Sequence, residues 1–297
     1  MLEEFKHAFQ RQNNAHIQLI IINVVAFVVL SVLFVLSTWF SLSDYFSVVY
    51  DQFAIPSDFI VFLHRPWTLF TYFFTHSLVQ ILHVLFNMIA LYWFGRLFVE
   101  YLGSDKLVAV YVLGGMAGAF VYLAAYNLIP NPPPFLQQPT SMVGASASIF
   151  AVMVAVATLL PDYTFFLLFL GPVKLKYIAA VYIFISFIGS VGANAGGEIA
   201  HLGGALIGFL YTKQLQSGVN LGGWVTATLY WFKNLFSNKP AVKVTYRKTE
   251  PVSVSRASKG NKASQEEIDA ILDKISDKGY ESLTKDEKEK LFNASKK

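Results

Sequence analysis

Apolar residues gather into six stretches along this chain, and polar residues mark the gaps between them. A crossing of ~30 Å of hydrocarbon takes about 20 mostly apolar residues at 1.5 Å each. Residues 17–40, 82–102, 107–127, 141–160, 177–192 and 199–215 reach or approach that length. The pattern predicts an all-α membrane protein built as a bundle of six transmembrane helices. The fourth and fifth stretches are short and need neighbouring helices around them. A polar leader, residues 1–16, precedes the first stretch, which ends without a small-residue cleavage site, so 17–40 reads as a retained anchor and not as a signal peptide.

Charge then sets the orientation. The connections after spans two and four carry Arg96, Lys106, Lys174 and Lys176, whereas residues 127–140 carry no charge. With Lys6 and Arg11 before span one and a basic tail after span six, positive residues collect on one side. Both termini are therefore expected in the cytoplasm of a multi-pass cell-membrane protein. Hydrophobic types make up 55% of the chain and charged types 14%, against about 25% charged in soluble domains. Soluble, disordered and collagen-like classes are excluded, and the absence of cysteine removes disulfides, thiolate nucleophiles and thiolate metal sites. The net charge of +4 is uneven, residues 1–217 carrying −1 and the remaining 80 carrying +5. A basic segment beside a membrane is the usual mark of a cytoplasmic face, so this charge argues for the bilayer as partner and against nucleic acid.

Residues 41–75 are rich in Phe, Tyr and Trp yet carry Asp44, Asp51, Asp58, His64 and Arg65, and are expected to lie in the membrane interface. Residues 218–239 read as an interfacial amphipathic segment, with Trp224, Trp231, Phe232 and Phe236 in the lipid boundary and Lys233 and Lys239 near headgroups. A seventh span there would carry the basic tail to the wrong side. Residues 240–262 read as a linker. Residues 263–297 read as a small helical cytoplasmic tail, with capping boxes at Ser264-x-x-Glu267 and Thr284-x-x-Glu287, apolar Ile268, Ile271, Leu272 and Ile275 at helical spacing, and Gly279 as a stop. Within the core, 17–217, small residues recur four apart at Gly114 and Gly118, Ala147 and Ala151, and Gly204 and Gly208. That spacing lets helix backbones approach closely.

Ionisable and polar groups inside spans are costly and by default mark function. Span two holds His83 and Asn87, four apart on one face; span four opens with Gly144-Ala145-Ser146-Ala147-Ser148; span six opens with Glu198-Ile199-Ala200-His201. On the topology above these three spans run in the same direction, and each group sits in the first turns of its span, so all share one depth near the outer surface. Such a set supports acyl transfer. A serine hydroxyl needs an adjacent base, and a neutral imidazole suits that task near pH 7. His201 is the better base because Ala200, Gly203 and Gly204 let its helix touch that of Ser146. His83, Asn87 and the Ser146 backbone N–H would then be donors to the oxyanion. Taken singly, the serine run reads as packing or a helix cap and a lone histidine as structural; matched depth on three parallel spans is what favours chemistry. Between Lys106 and Gly197 the only carboxylate is Asp162, sixteen residues beyond Ser146 or ~24 Å along a helix. Glu198 could approach the His201 ring, but a Ser–His dyad is the simpler reading.

These residues resemble the rhomboid family of intramembrane serine proteases. The likeness rests on HVLFN (His83, Asn87), GASAS (Gly144 to Ser148) and AHLGGALIG (Ala200 to Gly208), with Gly95, Glu100 and Gly103 similar to the family's structural G-x4-E-x2-G. It implies a six-helix rhomboid-like bundle with a Ser146–His201 dyad that cuts transmembrane segments of other membrane proteins near their outer ends. By the same likeness Phe150 stacks on the histidine, and Phe86 packs towards a lateral entry gap beside span five. Three departures stand out. Trp67-Thr68 replaces a common Trp-Arg, Ala147 stands where glycine often follows the nucleophile and its methyl is expected to crowd the oxyanion hole, and His76 precedes His83 by seven residues where relatives have five.

No His-Glu-x-x-His zinc motif and no paired membrane aspartates occur, so neither a metal nor a cofactor is expected. Two other classes compete: a non-catalytic binder or chaperone of membrane helices using the same lateral gap, and a small transporter whose histidines relay protons. The sequence names no substrate and assigns no oligomeric state.

Overall fold

The computed structural model describes residues 13–138, 140–167, 170–235 and 265–295. The first apolar stretch is helix α1 (Ala15–Trp39). The aromatic loop after it is largely helical, in short pieces: α2 (Ser43–Tyr50), α3 (Phe59–His64) and α4 (Thr68–Thr71), the last running into a 3₁₀ turn at Tyr72–Phe74. Asp58 caps α3, its Oδ1 accepting from the Val61 N–H at 2.9 Å. The loop is closed by its own side chains, Arg65 Nη1 donating to the Asp51 carbonyl at 3.0 Å and Trp67 Nε1 to that of Gln52 at 2.9 Å.

Long helices α5 (Ile81–Leu102) and α6 (Ser104–Leu128) follow, separated by Gly103 at φ +85°, a backbone state that favours glycine. After the one-turn helix α7 (Pro134–Gln137), strand β2 (Ser141–Met142) pairs antiparallel with β1 (Ile55–Pro56). Then come α8 (Ser146–Leu159), the hairpin β3 (Thr164–Leu167) and β4 (Gly171–Lys174), α9 (Leu175–Gly189), α10 (Ala195–Gln216) and α11 (Gly223–Leu235). Helices α1, α5 and α6 are long and apolar enough to cross a membrane unaided. Helix α8, at 14 residues, spans only ~21 Å. Eleven of those residues are buried, because α8 is the central helix, wrapped by protein and not by lipid.

The three small-residue pairs interlock around it. A methyl added at Gly114 or Gly118 of α6 would strike the Cβ atoms of Ala151 or Ala147, and one added at Gly204 or Gly208 of α10 would overlap the carbonyls of the same two alanines. Helix α8 is therefore held between α6 and α10 at backbone contact. Ala147 is buried and turns its methyl onto this seam, facing Gly118. The connection between α8 and α9, which reads in the sequence as a plain basic loop, is a strand hairpin. Asp162 accepts from Lys174 and Lys176 at 2.9 Å each, and these bonds hold its carboxyl down at about 2.

Helix α11 buries Val225, anchors Tyr230 O–H on Asp105 Oδ2 at 2.9 Å, and exposes Trp224, Trp231 and Phe232, which suits the membrane interface. Phe236, Lys239 and the Lys233 side chain lie outside the described residues, as do most of the leader and the 240–262 linker.

Contacts divide the chain into two compact units, 1–238 and 239–297. In the second, α12 (Gln265–Lys278) and α13 (Lys285–Ser295) pack across Ile271 and Leu283. Gly279, at φ +76°, ends α12. The Thr284 capping box forms reciprocally, Glu287 Oε2 accepting from the Thr284 N–H at 2.7 Å and Thr284 Oγ1 from the Glu287 N–H at 3.4 Å. Lys274 bonds Glu287 across the pair at 2.9 Å. Leu272, expected on the apolar face, is exposed; Ser264 lies outside the described residues.

Candidate active site

Expected from about residue 141, the fourth helix starts only at Ser146. Gly144 stands at φ +136°, where a side chain is strained, and donates its N–H to the Tyr72 carbonyl at 3.0 Å. The first i→i−4 bond of α8 is Ile149 N to Ala145 O at 3.0 Å, so the N–H groups of Ser146, Ala147 and Ser148 precede the helical ladder. Ser146 thus sits at the amino end of a helix, where free N–H groups and the macrodipole favour negative charge.

His201 comes from the second turn of α10. Its Nε2 lies 2.7 Å from Ser146 Oγ, a hydrogen bond made possible by Gly204, which lets α10 touch α8. The imidazole lies flat on Phe150, with ring centroids 4.3 Å apart and planes within 11°. On its other edge, Nδ1 meets two groups at 3.1 Å each, Glu198 Oε2 and Ser186 Oγ. The approach of Glu198 to the ring, which its spacing three residues before His201 allowed, is realised as a direct contact. Ser186 was not anticipated at all; a hydroxyl inside the apolar stretch 177–192 was the signal that could have found it.

His83 approaches from the first turn of α5. A point one Cβ bond from the Gly144 backbone lies 3.8 Å from His83 Nε2 and 3.7 Å from Ser146 Oγ, so both border one small space. Asn87, one turn further on, lines the same cavity, and its buried Nδ2 has no acceptor among the described residues. A buried donor without a partner is rare in native proteins, and it is suited to an acceptor that arrives with a ligand. The cavity encloses about 950 Å³ and runs along α5 from His83 to Glu100, ~26 Å at 1.5 Å per residue. Its walls are mostly apolar; Phe86, 65% exposed, stands at its edge opposite Tyr182 and Ile178 of α9. His76 is not among the lining residues; it is buried in the loop before α5, with Tyr50 O–H donating to its carbonyl at 3.0 Å. Asp162 lies in the turn between the far end of α8 and β3.

The arrangement is a hydroxyl on a basic ring nitrogen, beside uncommitted donors, at the head of a long apolar cavity. Such a set can move a proton from oxygen to nitrogen while charge builds on a neighbouring oxygen.

Comparison with known proteins gives the same direction. The Rhomboid domain family model matches residues 63–217, and a family of unknown function, DUF6576, matches 256–297. The chain is 30% identical over 184 residues to "RHOMBOID-like protein 12, mitochondrial" of Arabidopsis thaliana, covering 57% of this chain and 54% of that one. It is 30% identical over 139 residues to "Presenilin-associated rhomboid-like protein A, mitochondrial" of Danio rerio, covering 44% and 33%. The rat "Presenilin-associated rhomboid-like protein, mitochondrial" (Rattus norvegicus) is 31% identical over 141 residues, covering 46% and 35%. The chain therefore spans between a third and about half of the length of these relatives. With the helical membrane bundle and more than half of its residues inside the domain match, the chain belongs to the rhomboid family.

Proposed function

We propose that this protein is an intramembrane serine endopeptidase that cuts transmembrane segments of other membrane proteins. One observation carries the reading: the 2.7 Å contact between Ser146 Oγ and His201 Nε2 at the head of a mostly apolar cavity of about 950 Å³. In the reaction Ser146 Oγ attacks the scissile carbonyl carbon while His201 Nε2 takes the hydroxyl proton. The carbonyl oxygen becomes an oxyanion and accepts from the Ser146 N–H, Asn87 Nδ2 and His83 Nε2–H. His201 then returns the proton to the leaving amine, the C–N bond breaks, and a water deprotonated by the same nitrogen hydrolyses the acyl ester, regenerating the hydroxyl. Phe150 keeps the ring in plane for both transfers, and Gly144 leaves room for the substrate backbone. The apolar gap between α5 and α9, edged by Phe86, suits entry of a helix from the bilayer. Positive residues on one side support a multi-pass cell-membrane protein with both termini in the cytoplasm.

Purified full-length protein in proteoliposomes, given a fluorogenic transmembrane peptide, tests this. Cleavage abolished in Ser146→Ala and in His201→Ala is expected. Cleavage that persists in Ser146→Ala overturns the reading, and absence of cleavage in the wild type across a panel of membrane helices that it nevertheless binds favours a non-catalytic holder of helices.

A further inference from the structure

Glu198 occupies a position that the dyad reading does not use. It lies one turn before His201 on α10, and its Oε2 is 3.1 Å from His201 Nδ1. Its stem is seated against Gly189 of α9, where an added Cβ would come within 2.9 Å of Glu198 Cγ. Ser186 and Asn194 are both within hydrogen-bonding reach of the same carboxylate, and Ser186, almost wholly buried, also meets Nδ1 at 3.1 Å. The carboxylate is thus held from three sides with one oxygen on the ring.

Resting on the assignment of Ser146 and His201 above, we propose that Glu198 is a positioning residue that converts the dyad into a Ser146–His201–Glu198 relay, with Ser186 as its brace. The argument turns on what each neighbour of Nδ1 can do. A neutral imidazole carries one ring proton, and only the tautomer with that proton on Nδ1 leaves Nε2 free to accept from Ser146. A hydroxyl such as Ser186 both donates and accepts, so alone it selects neither tautomer. An ionised carboxylate only accepts, so Glu198 requires the proton on Nδ1, while Ser186 can accept from Nδ1 and donate to Glu198.

The second effect is charge. When Nε2 takes the serine proton, an imidazolium forms in a largely buried place. Facing it are Ser146 and Phe150 from α8, Ser186 and Tyr182 from α9, and His83 across the cavity on α5. Of these neighbours and Glu198 itself, only Glu198 supplies an anion. A buried cation without a counter-charge is costly, and Glu198 offsets that cost in the step where it arises.

The test uses full-length protein in proteoliposomes, with two readouts: kcat and KM on the fluorogenic peptide, and the rate of Ser146 labelling by a fluorophosphonate from pH 5 to 9. Glu198→Gln is expected to lower kcat about 10- to 100-fold with KM little changed, less than the about 10⁴-fold seen for a fully buried triad aspartate, because Ser186 still holds Nδ1. Loss of the anion also makes the imidazolium easier to deprotonate, so the acid limb of the labelling profile should move to lower pH. Ser186→Ala should leave that limb in place, and Glu198→Asp should fall between Gln and wild type. If Glu198→Gln does not fold, Glu198→Asp reads the same limb, shifted in the same direction by less. An unmoved limb with kcat within about twofold of wild type, in whichever of the two folds, overturns the proposal. Labelling that survives Ser146→Ala overturns the nucleophile itself, and so is distinguishable from failure of Glu198 alone.

Discussion

Replacing Gly204 by alanine probes the contact on which the proposed chemistry depends. The new methyl would lie 2.9 Å from the carbonyl carbon of Ala147 and closer still to its oxygen. Carbon atoms rest at about 3.5–4.0 Å, so α8 and α10 must part by at least about 0.6 Å. Ser146 and His201 sit on those two helices, one and three residues from the clash. Their 2.7 Å bond would open towards about 3.5 Å, the outer edge of a hydrogen bond. Overpacking of this kind costs about 1–3 kcal/mol of stability, and a misplacement near 1 Å can lower turnover by about 10². Gly203→Ala is the control: its methyl meets Ala117 O and Val121 of α6 at 2.9 Å, so it stresses the bundle without prising α10 from α8. The assay pairs thermal unfolding in detergent with cleavage at a temperature where all variants are folded. Gly204→Ala should lose about 10² in kcat, and Gly203→Ala should lose stability with little change in kcat. Equal kcat in the two variants would refute the claim that this seam sets the Ser146–His201 distance.

Three further outcomes follow from the same geometry. Asn87→Ala, which removes a donor without a partner among the described residues, should lower kcat by about 10²–10³ with KM little affected, read in the same peptide assay. Asp162 owes its depressed pKa of about 2 to Lys174 and Lys176. Because the folded value lies below that of a free aspartate, its ion pairs are fully formed above the free value and weaken only as pH falls towards about 2. Asp162→Asn should accordingly leave the pH–rate profile of cleavage between pH 5 and 9 unchanged; a severe loss without unfolding would place the chemistry at the wrong end of α8. Treatment with chelators such as EDTA should leave cleavage intact, since every step proposed is carried by oxygen and nitrogen atoms of the chain.

Much of the bundle was legible because burial in lipid demands long apolar runs, and the helices fall within a few residues of the expected stretches at 17–40, 82–102, 107–127 and 199–215. The start of α8 was not. Residues 141–145 are apolar enough to extend the helix, but Ser141 and Met142 pair instead with Ile55 and Pro56, and Gly144 takes a backbone state closed to helices. That pairing joins segments some 86 residues apart and leaves no mark in local pattern. At the candidate site, equal depth on three spans drew attention to His83, Asn87, Ser146 and His201, because polar groups inside a membrane are few. The placement of Ala147 escaped that logic, and for Glu198 it allowed an approach to the ring without deciding it. Whether a methyl points into a cavity or onto a seam, and whether a carboxylate at i−3 reaches a ring, depend on the glycines opposite them. Gly118 and Gly189 sit on other helices, and spacing within one helix does not say which partner faces it.

The most direct measurement is to treat the folded protein with a biotinylated fluorophosphonate near pH 7.5 and map the adduct by peptide mass spectrometry. The account predicts a single modified residue, Ser146, with labelling lost on heat unfolding and in His201→Ala. Modification elsewhere with Ser146 untouched, or Ser146 labelling at the wild-type rate in His201→Ala, would contradict it.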